Sequence, residues 1–181
     1  NNQIWGGLGN DRITVDQNGS QYWDGVSYLY GGEGDDTITV YSYVYAIYAD
    51  DGDDSVLLDG DFYVGDINLS SGDDVLDVTN WEGNLDNQIY MYGGSGDDVY
   101  TGRDVDKTNN TYDYFYGQDG QDVITGGDAD EYFDGGSDED VISGGYGDDI
   151  LLGGGDSDTI TGGDGADTIT GGAGEDVLTG G

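Results

Sequence analysis

The sequence contains no cysteine, no proline and no histidine, and only three basic residues, Arg12, Arg103 and Lys107. Each absence removes a class of function. Without cysteine there are no disulfides and no thiolate metal sites. Without cysteine or histidine the usual nucleophile–base pairs are missing, and no Ser-Lys or phosphate-loop pattern replaces them. The chain does not read as an enzyme. So few cations leave nothing to grip the phosphates of a nucleic acid or an anionic membrane surface. No apolar run approaches 18 residues, so no membrane span is expected. Neither a signal peptide nor an initiator methionine is visible, and the chain reads as part of something larger.

What abounds is carboxylate and glycine. There are 40 acidic residues and 37 glycines in 181 residues, and the formal net charge is −37. Two unit charges 4 Å apart repel by about 4 kcal/mol at an effective dielectric near 20. Dozens of such pairs outweigh the roughly 5–15 kcal/mol of net stability of a domain. Either the chain is disordered or something cationic folds with it. Composition of this kind marks disorder, yet 12% of the residues are aromatic and Ile, Val and Leu recur at fixed intervals. The expectation is order with metal and coil without it.

Nine-residue units begin at Gly117, Gly126, Gly135, Gly144, Gly153, Gly162 and Gly171, without insertion or deletion. Their sixth place is always acidic and their eighth always apolar, as in GGDGADTIT from Gly162. A fixed period marks a stacked-repeat architecture. The phrase recurs upstream at Gly6, Gly31, Ala49, Leu69 and Gly93. From 31 to 171 one series of starts advances by 18 to 24 residues, and a second series occupies 126, 144, 162 and 180. Two nonapeptides, each a six-residue turn and about three residues of strand, make one coil of a flattened solenoid. The first series lies along one edge, here the long edge, and the second along the short edge. Before residue 117 the short edge is built from loops of variable length at 41–45, 59–63, 79–88 and 102–111. Strands return from these at 28–30, 46–48, 67–69, 89–92 and 112–116, where aromatic and β-branched residues alternate. One continuous unit is expected over 1–181, with 1–116 made of longer Tyr-rich coils and 117–181 of regular ones.

Glycine at places one, two and four allows positive φ, so the turn can curl and aim carbonyls inward. The sixth-place carboxylate joins them. Many oxygens without nitrogen or sulfur, in a flexible loop, favour calcium over magnesium. One turn cannot supply six ligands, but two successive turns on an edge can. Metal binding and stacking then become one event.

The phrase GGxGxDxUx resembles the calcium-binding nonapeptide of RTX (repeats-in-toxin) proteins, closely in 117–181 and at the turns 6–14, 31–39, 49–57, 69–77 and 93–101. The resemblance implies an all-β, right-handed parallel β-roll with calcium ions in its turns. Each ion would be held by second- and fourth-place carbonyls and the sixth-place carboxylate of one turn, with first- and third-place carbonyls and the sixth-place carboxylate of the next. On the long edge the implied side-chain ligands are Asp11, Asp36, Asp54, Asp74, Asp98, Asp122, Asp140, Asp158 and Asp176. On the short edge they are Glu131, Asp149 and Asp167. Implied carbonyl ligands include Gly31, Gly93, Gly117, Gly135, Gly144, Gly153, Gly162 and Gly171 at first places. Glu33, Ser95 and Asp119 stand at third places, and Gly34, Gly52, Gly72, Gly96, Gly120, Gly147 and Gly165 at fourth. The inter-turn logic predicts roughly eight to ten ions. Glu131 is a methylene too long and Ala129 replaces the fourth-place glycine, which puts the first short-edge site in question. The 25-residue step from 6 to 31 predicts a distorted or missing Asp11 site.

The family further implies a folding and spacing module of a large secreted or cell-surface bacterial protein, such as an adhesin, toxin or exoenzyme. It would leave the cell unfolded through type I secretion machinery and fold outside. Other readings stay open. The Tyr-rich half presents a possible platform for glycan or a cell surface. Thr pairs flanking inward Ile suggest an ice-binding array, although Leu57, Asp77, Asp134 and Leu152 interrupt the rows. Asp-Asp pairs at 35–36, 53–54, 73–74, 97–98 and 148–149 read as a ligand beside a solvated neighbour rather than as a glycosidase pair. The EF-hand pattern sought at 104–106 lacks its glycine and closing glutamate. The three basic residues read as local partners of aspartates.

Overall fold

The computed structural model describes residues 2–16, 26–83, 88–104 and 112–181. Among them there is no helix. Odd-numbered strands form one parallel sheet: β1 Gln3–Leu8, β3 Val26–Glu33, β5 Val44–Asp51, β7 Val64–Ser71, β9 Ile89–Ser95, β11 Asp113–Asp119, β13 Glu131–Ser137, β15 Ile150–Gly154 and β17 Thr168–Gly172. Even-numbered strands form the other: β2 Arg12–Val15, β4 Thr37–Val40, β6 Ser55–Gly60, β8 Val75–Trp81, β10 Val99–Thr101, β12 Val123–Thr125, β14 Val141–Tyr146, β16 Thr159–Asp164 and β18 Val177–Thr179. Each strand pairs with the equivalent strand of the next coil, so the chain is an all-β parallel solenoid.

Period-two alternation sets which side chains go inside. From one sheet come Leu29, Ile47, Ile67, Met91, Phe115, Phe133 and Leu151, stacked in register. From the other come Ile13, Ile38, Val56, Leu76, Tyr100, Ile124, Ile142 and Ile160. These two columns are buried and form a continuous core. In the first coils a further pair of columns thickens it. Val15, Val40 and Leu58 pair across one sheet, and Val26, Val44 and Val64 across the other.

Two expectations need correction. The ladder does not stop at the repeat start but runs through places two and three, as in Gly32↔Asp50 and Glu33↔Asp51. The turn is therefore narrower than six residues and most strands are longer than three, although β10, β12 and β18 keep three. The short-edge connections are shorter than expected as well, because Val44–Tyr45 and Thr79–Trp81 already lie in β5 and β8. Packing of the extra Val and Trp columns holds these residues in the sheets. The turn beginning at Gly6 keeps the common backbone register despite its 25-residue step, since Gly7 and Leu8 pair with Gly32 and Glu33. Residues 105–111, including Lys107 and most of the 102–111 loop, lie outside the described residues, as do 17–25 and 84–87.

Candidate metal centre

The nine long-edge turns share one backbone. Second and fourth places have positive φ in every copy. Most are glycine, but Asp50 (79°), Ser70 (84°) and Gln118 (86°) take the second place, and Asp138 (74°) and Asp156 (61°) the fourth. Short polar residues tolerate this conformation better than most. Stacking leaves no room for a side chain at most of these places: a Cβ built on Gly72 would lie 2.0 Å from the Gly52 carbonyl oxygen. The first-place glycines face the sixth-place carboxylate of their own turn. A Cβ at Gly117 would come within 1.8 Å of Asp122 Oδ2, and one at Gly153 within 2.1 Å of Asp158 Oδ2.

The sixth-place aspartates form a continuous ladder. The N–H of Asp11 donates to Oδ1 of Asp36, and the relation repeats through Asp54, Asp74, Asp98, Asp122, Asp140, Asp158 and Asp176 at 2.7–3.1 Å. Each carboxylate thus reaches back to the preceding coil. One oxygen is satisfied and the other is not. Oδ2 of Asp36, Asp54, Asp74, Asp98, Asp122, Asp140 and Asp158 is buried without a hydrogen-bond partner. On the short edge the same holds for Glu131 Oε2 and Asp149 Oδ2.

A buried polar atom without a partner costs about 1–3 kcal/mol, and more when charged. Successive strands lie about 4.8 Å apart, so neighbouring carboxylates repel by roughly 3 kcal/mol at an effective dielectric near 20. Eight such contacts on the long edge exceed the stability of an ordinary domain. Burial accordingly pushes the pKa of Asp74 and Asp122 up to about 8, Asp54 and Asp140 to about 7, and Asp98 and Asp149 to about 6. The cluster demands protons or cations. Among the described residues no three carboxylates converge on one point. The donors at hand are orphaned carboxylate oxygens and the curled carbonyls of adjoining turns. This all-oxygen set fits calcium.

The fifth-place residues do more than the solvated-neighbour reading allows. Their side chains accept from the fifth-place N–H of the following coil: Asp35 from Asp53, Asp53 from Asp73, Asp73 from Asp97 and Asp97 from Gln121, at 2.9–3.3 Å. On the short edge Asp130 accepts from Asp148, and Asp148 from Ala166. The signal was present as a recurrent acid at place five, but sequence spacing does not show which backbone N–H it meets.

The short edge has three carboxylate turns. Glu131 N–H donates to Asp149 (2.9 Å) and Asp149 N–H to Asp167 (3.1 Å). The turns from Gly144 and Gly162 repeat the long-edge φ pattern, with Gly145, Gly147, Gly163 and Gly165 positive. The turn from Gly126 does not: neither Gly127 nor Ala129 has positive φ. Its longer Glu131 folds back so that Oε1 accepts the N–H of Gly127 (3.3 Å). Burial and the neighbouring Asp149 push its pKa up to about 10. On this edge Arg103 is a local partner of an aspartate, as its type suggested, but its burial was not foreseen. Arg103 is fully buried and bonded to Asp113, with its guanidinium 4.6 Å from the centre of the Trp81 ring. The only hint was an isolated cation in a chain of extreme negative charge.

No curated protein and no solved structure matches the chain. The sequence model of the RTX calcium-binding nonapeptide repeat, in four copies, matches residues 1–17, 24–40, 90–105, 109–142, 125–160 and 152–181. It leaves out 41–89, where Ala49-Asp50 and Leu69-Ser70 replace the glycine pair. Yet those two turns carry the same carboxylate ladder, through Asp54 and Asp74. With most of its length matched, and with calcium-type donors stacked coil upon coil, the chain belongs to the RTX calcium-binding nonapeptide repeat family.

Proposed function

We propose that residues 1–181 act as one calcium-dependent folding and spacing unit of a large bacterial protein that works outside the cell. The chain is a structural calcium-binding module; its parent, an adhesin, toxin or exoenzyme, is the finer part of the reading. The observation that carries it is the row of buried, unpartnered carboxylate oxygens at one place of every inner turn. Bound calcium supplies the positive charge and oxygen coordination that this row lacks. Asp11, Asp36, Asp54, Asp74, Asp98, Asp122, Asp140, Asp158 and Asp176, with Asp149 and Asp167, supply the carboxylates, and each inner one can serve the gaps on both sides. Eight gaps on the long edge and up to two on the short edge give roughly eight to ten ions.

Export in an unfolded state through type I machinery suits such a chain. It has no disulfides to form and no prolines to isomerise, and its charge of −37 keeps it open until calcium is met. Ion counting by equilibrium dialysis, with circular dichroism in calcium and in chelator, tests the reading. A β spectrum unchanged by a strong chelator overturns it.

A second reading has its own support. Aromatic rings stack in rows along one outer face: Trp5 on Tyr30 (3.9 Å between centroids), Tyr30 on Tyr48 (5.2 Å), Tyr90 on Tyr114 (4.9 Å) and Tyr92 on Tyr116 (5.3 Å). Such rows offer a continuous aromatic ridge against which a sugar can pack. A glycan array probed with the chain and with Tyr30→Ala/Tyr48→Ala decides it: specific retention lost in the variant favours this role. The ice-binding alternative has less support, because Thr14 and Thr39 continue in register into Leu57 and Asp77.

A further inference from the structure

Strand pairing along the short edge sets Ile89 beside Asp113 and Asp113 beside Glu131. Asp113 therefore holds the sixth-place level one coil before Glu131. The backbone agrees. A Cβ on Gly102 would lie 3.1 Å from Gly126 Cα, and one on Gly127 would lie 2.0 Å from the Arg103 carbonyl oxygen. Gly102 and Arg103 thus stand over Gly126 and Gly127, the first two places of the Glu131 turn.

Place two of this earlier turn carries a guanidinium that points into the stack. Nε and Nη2 donate to the two carboxylate oxygens of Asp113 at 2.7 and 2.9 Å. Nη1 donates to the carbonyl oxygen of Gly83, which belongs to the preceding coil. The Trp81 ring covers the group. A carboxylate from its own coil and a carbonyl from the coil before are the kinds of donor that the later turns present. Here both are aimed at a positive charge the chain carries itself. A buried ion pair is in general no more stabilising than a well-packed apolar pair. What this one adds is a fixed cation at the head of a run of three carboxylates, Glu131, Asp149 and Asp167. The planar guanidinium, with five donors and no accessible deprotonation, suits a permanent occupant.

We propose that the Arg103 guanidinium is the resident cation of the short-edge column. It fills the slot before Asp113 in which later turns take calcium, and it starts that column without metal. The inference rests on calcium filling the stacked turns, which the wild-type ion count tests separately.

The experiment is equilibrium dialysis of the full chain against millimolar calcium, comparing wild type, R103A, R103K and R103A/D113N. R103A is expected to bind one ion more than wild type, while R103K and R103A/D113N keep the wild-type count. A folded R103A with the wild-type count overturns the proposal. So does an R103A that stays unfolded however much calcium is added, since the slot then accepts a guanidinium alone. An extra ion in R103K as well also overturns it, because lost packing rather than lost charge would then open the slot. A wild type that binds no calcium would instead overturn the calcium reading itself.

Discussion

The coils before residue 117 and those after it close the same solenoid in two different ways. Both carry the sixth-place carboxylate ladder on the long edge. They differ on the short edge. The early coils shut it with apolar packing, from paired Val26, Val44 and Val64 to Trp81, and then with the buried Arg103–Asp113 ion pair. The late coils shut it with a second set of carboxylate turns at Glu131, Asp149 and Asp167. On the proposed calcium reading, an early coil is held by buried carbon on one side and cations on the other, and a late coil by cations on both. Hydrophobic burial stabilises by about 25 cal/mol per Å² whatever the calcium concentration. A metal-held coil is stabilised only in proportion to RT ln(1 + [Ca]/Kd). The difference separates a half that leans on its core from a half that depends on its medium.

Calcium removal breaks the comparison most forcefully. With a strong chelator at neutral pH, the β spectrum should collapse to coil. As calcium is lowered stepwise, hydrogen exchange should show protection lost first in β13–β18 and last in β4–β9. Simultaneous loss along the whole chain would mean that the extra apolar columns confer no independence.

Acid should partly replace the metal. Burial raises the folded-state pKa of Asp54, Asp74, Asp98, Asp122 and Asp140 to between about 6 and about 8. The unfolded value is about 4. A raised folded pKa means that the calcium-free fold binds more protons than the coil. Its stability is therefore full below pH about 4 and falls as pH rises through 6 to 8. In chelator, circular dichroism should show more β structure at pH 4 than at pH 8, and added calcium should abolish that difference.

Single side chains should have smaller effects. Asp122→Ala removes the acceptor of the Asp98 N–H, a loss of about 1–3 kcal/mol, together with one carboxylate from each adjoining ion gap. Thermal melts at fixed calcium should show a larger drop for Asp122→Ala than for Asp167→Ala near the end of the shorter column. The smallest expected change is a gain. Gln118 holds a φ of 86° at a place where glycine is usual, so Gln118→Gly should stabilise the folded chain by about 1 kcal/mol. A loss on that substitution would mean that the Gln118 side chain makes contacts worth more than its backbone strain.

The period carried most of this structure in plain sight. Seven contiguous repeats fix the coil length, and the invariant acid and apolar places fix which residues turn and which fill the core. The turns at Ala49 and Leu69 were legible too, because a carbonyl does not depend on the side chain behind it. What stayed hidden depended on relations between coils. The backward reach of Asp98 and the forward reach of Asp97 are adjacent residues doing opposite things. Linear spacing cannot tell them apart. That Arg103 would partner an aspartate was legible, but which aspartate it meets, Asp113, has no period to announce it.

Those two opposed reaches give the stack a grain. Seen from its early end, a coil offers carboxylate arms at place six and waiting amides at place five; seen from its late end, the roles reverse. The two ends are therefore complementary to each other and not to themselves. A growing edge can accept a newcomer in one orientation only, and a coil laid on upside down would set acid against acid.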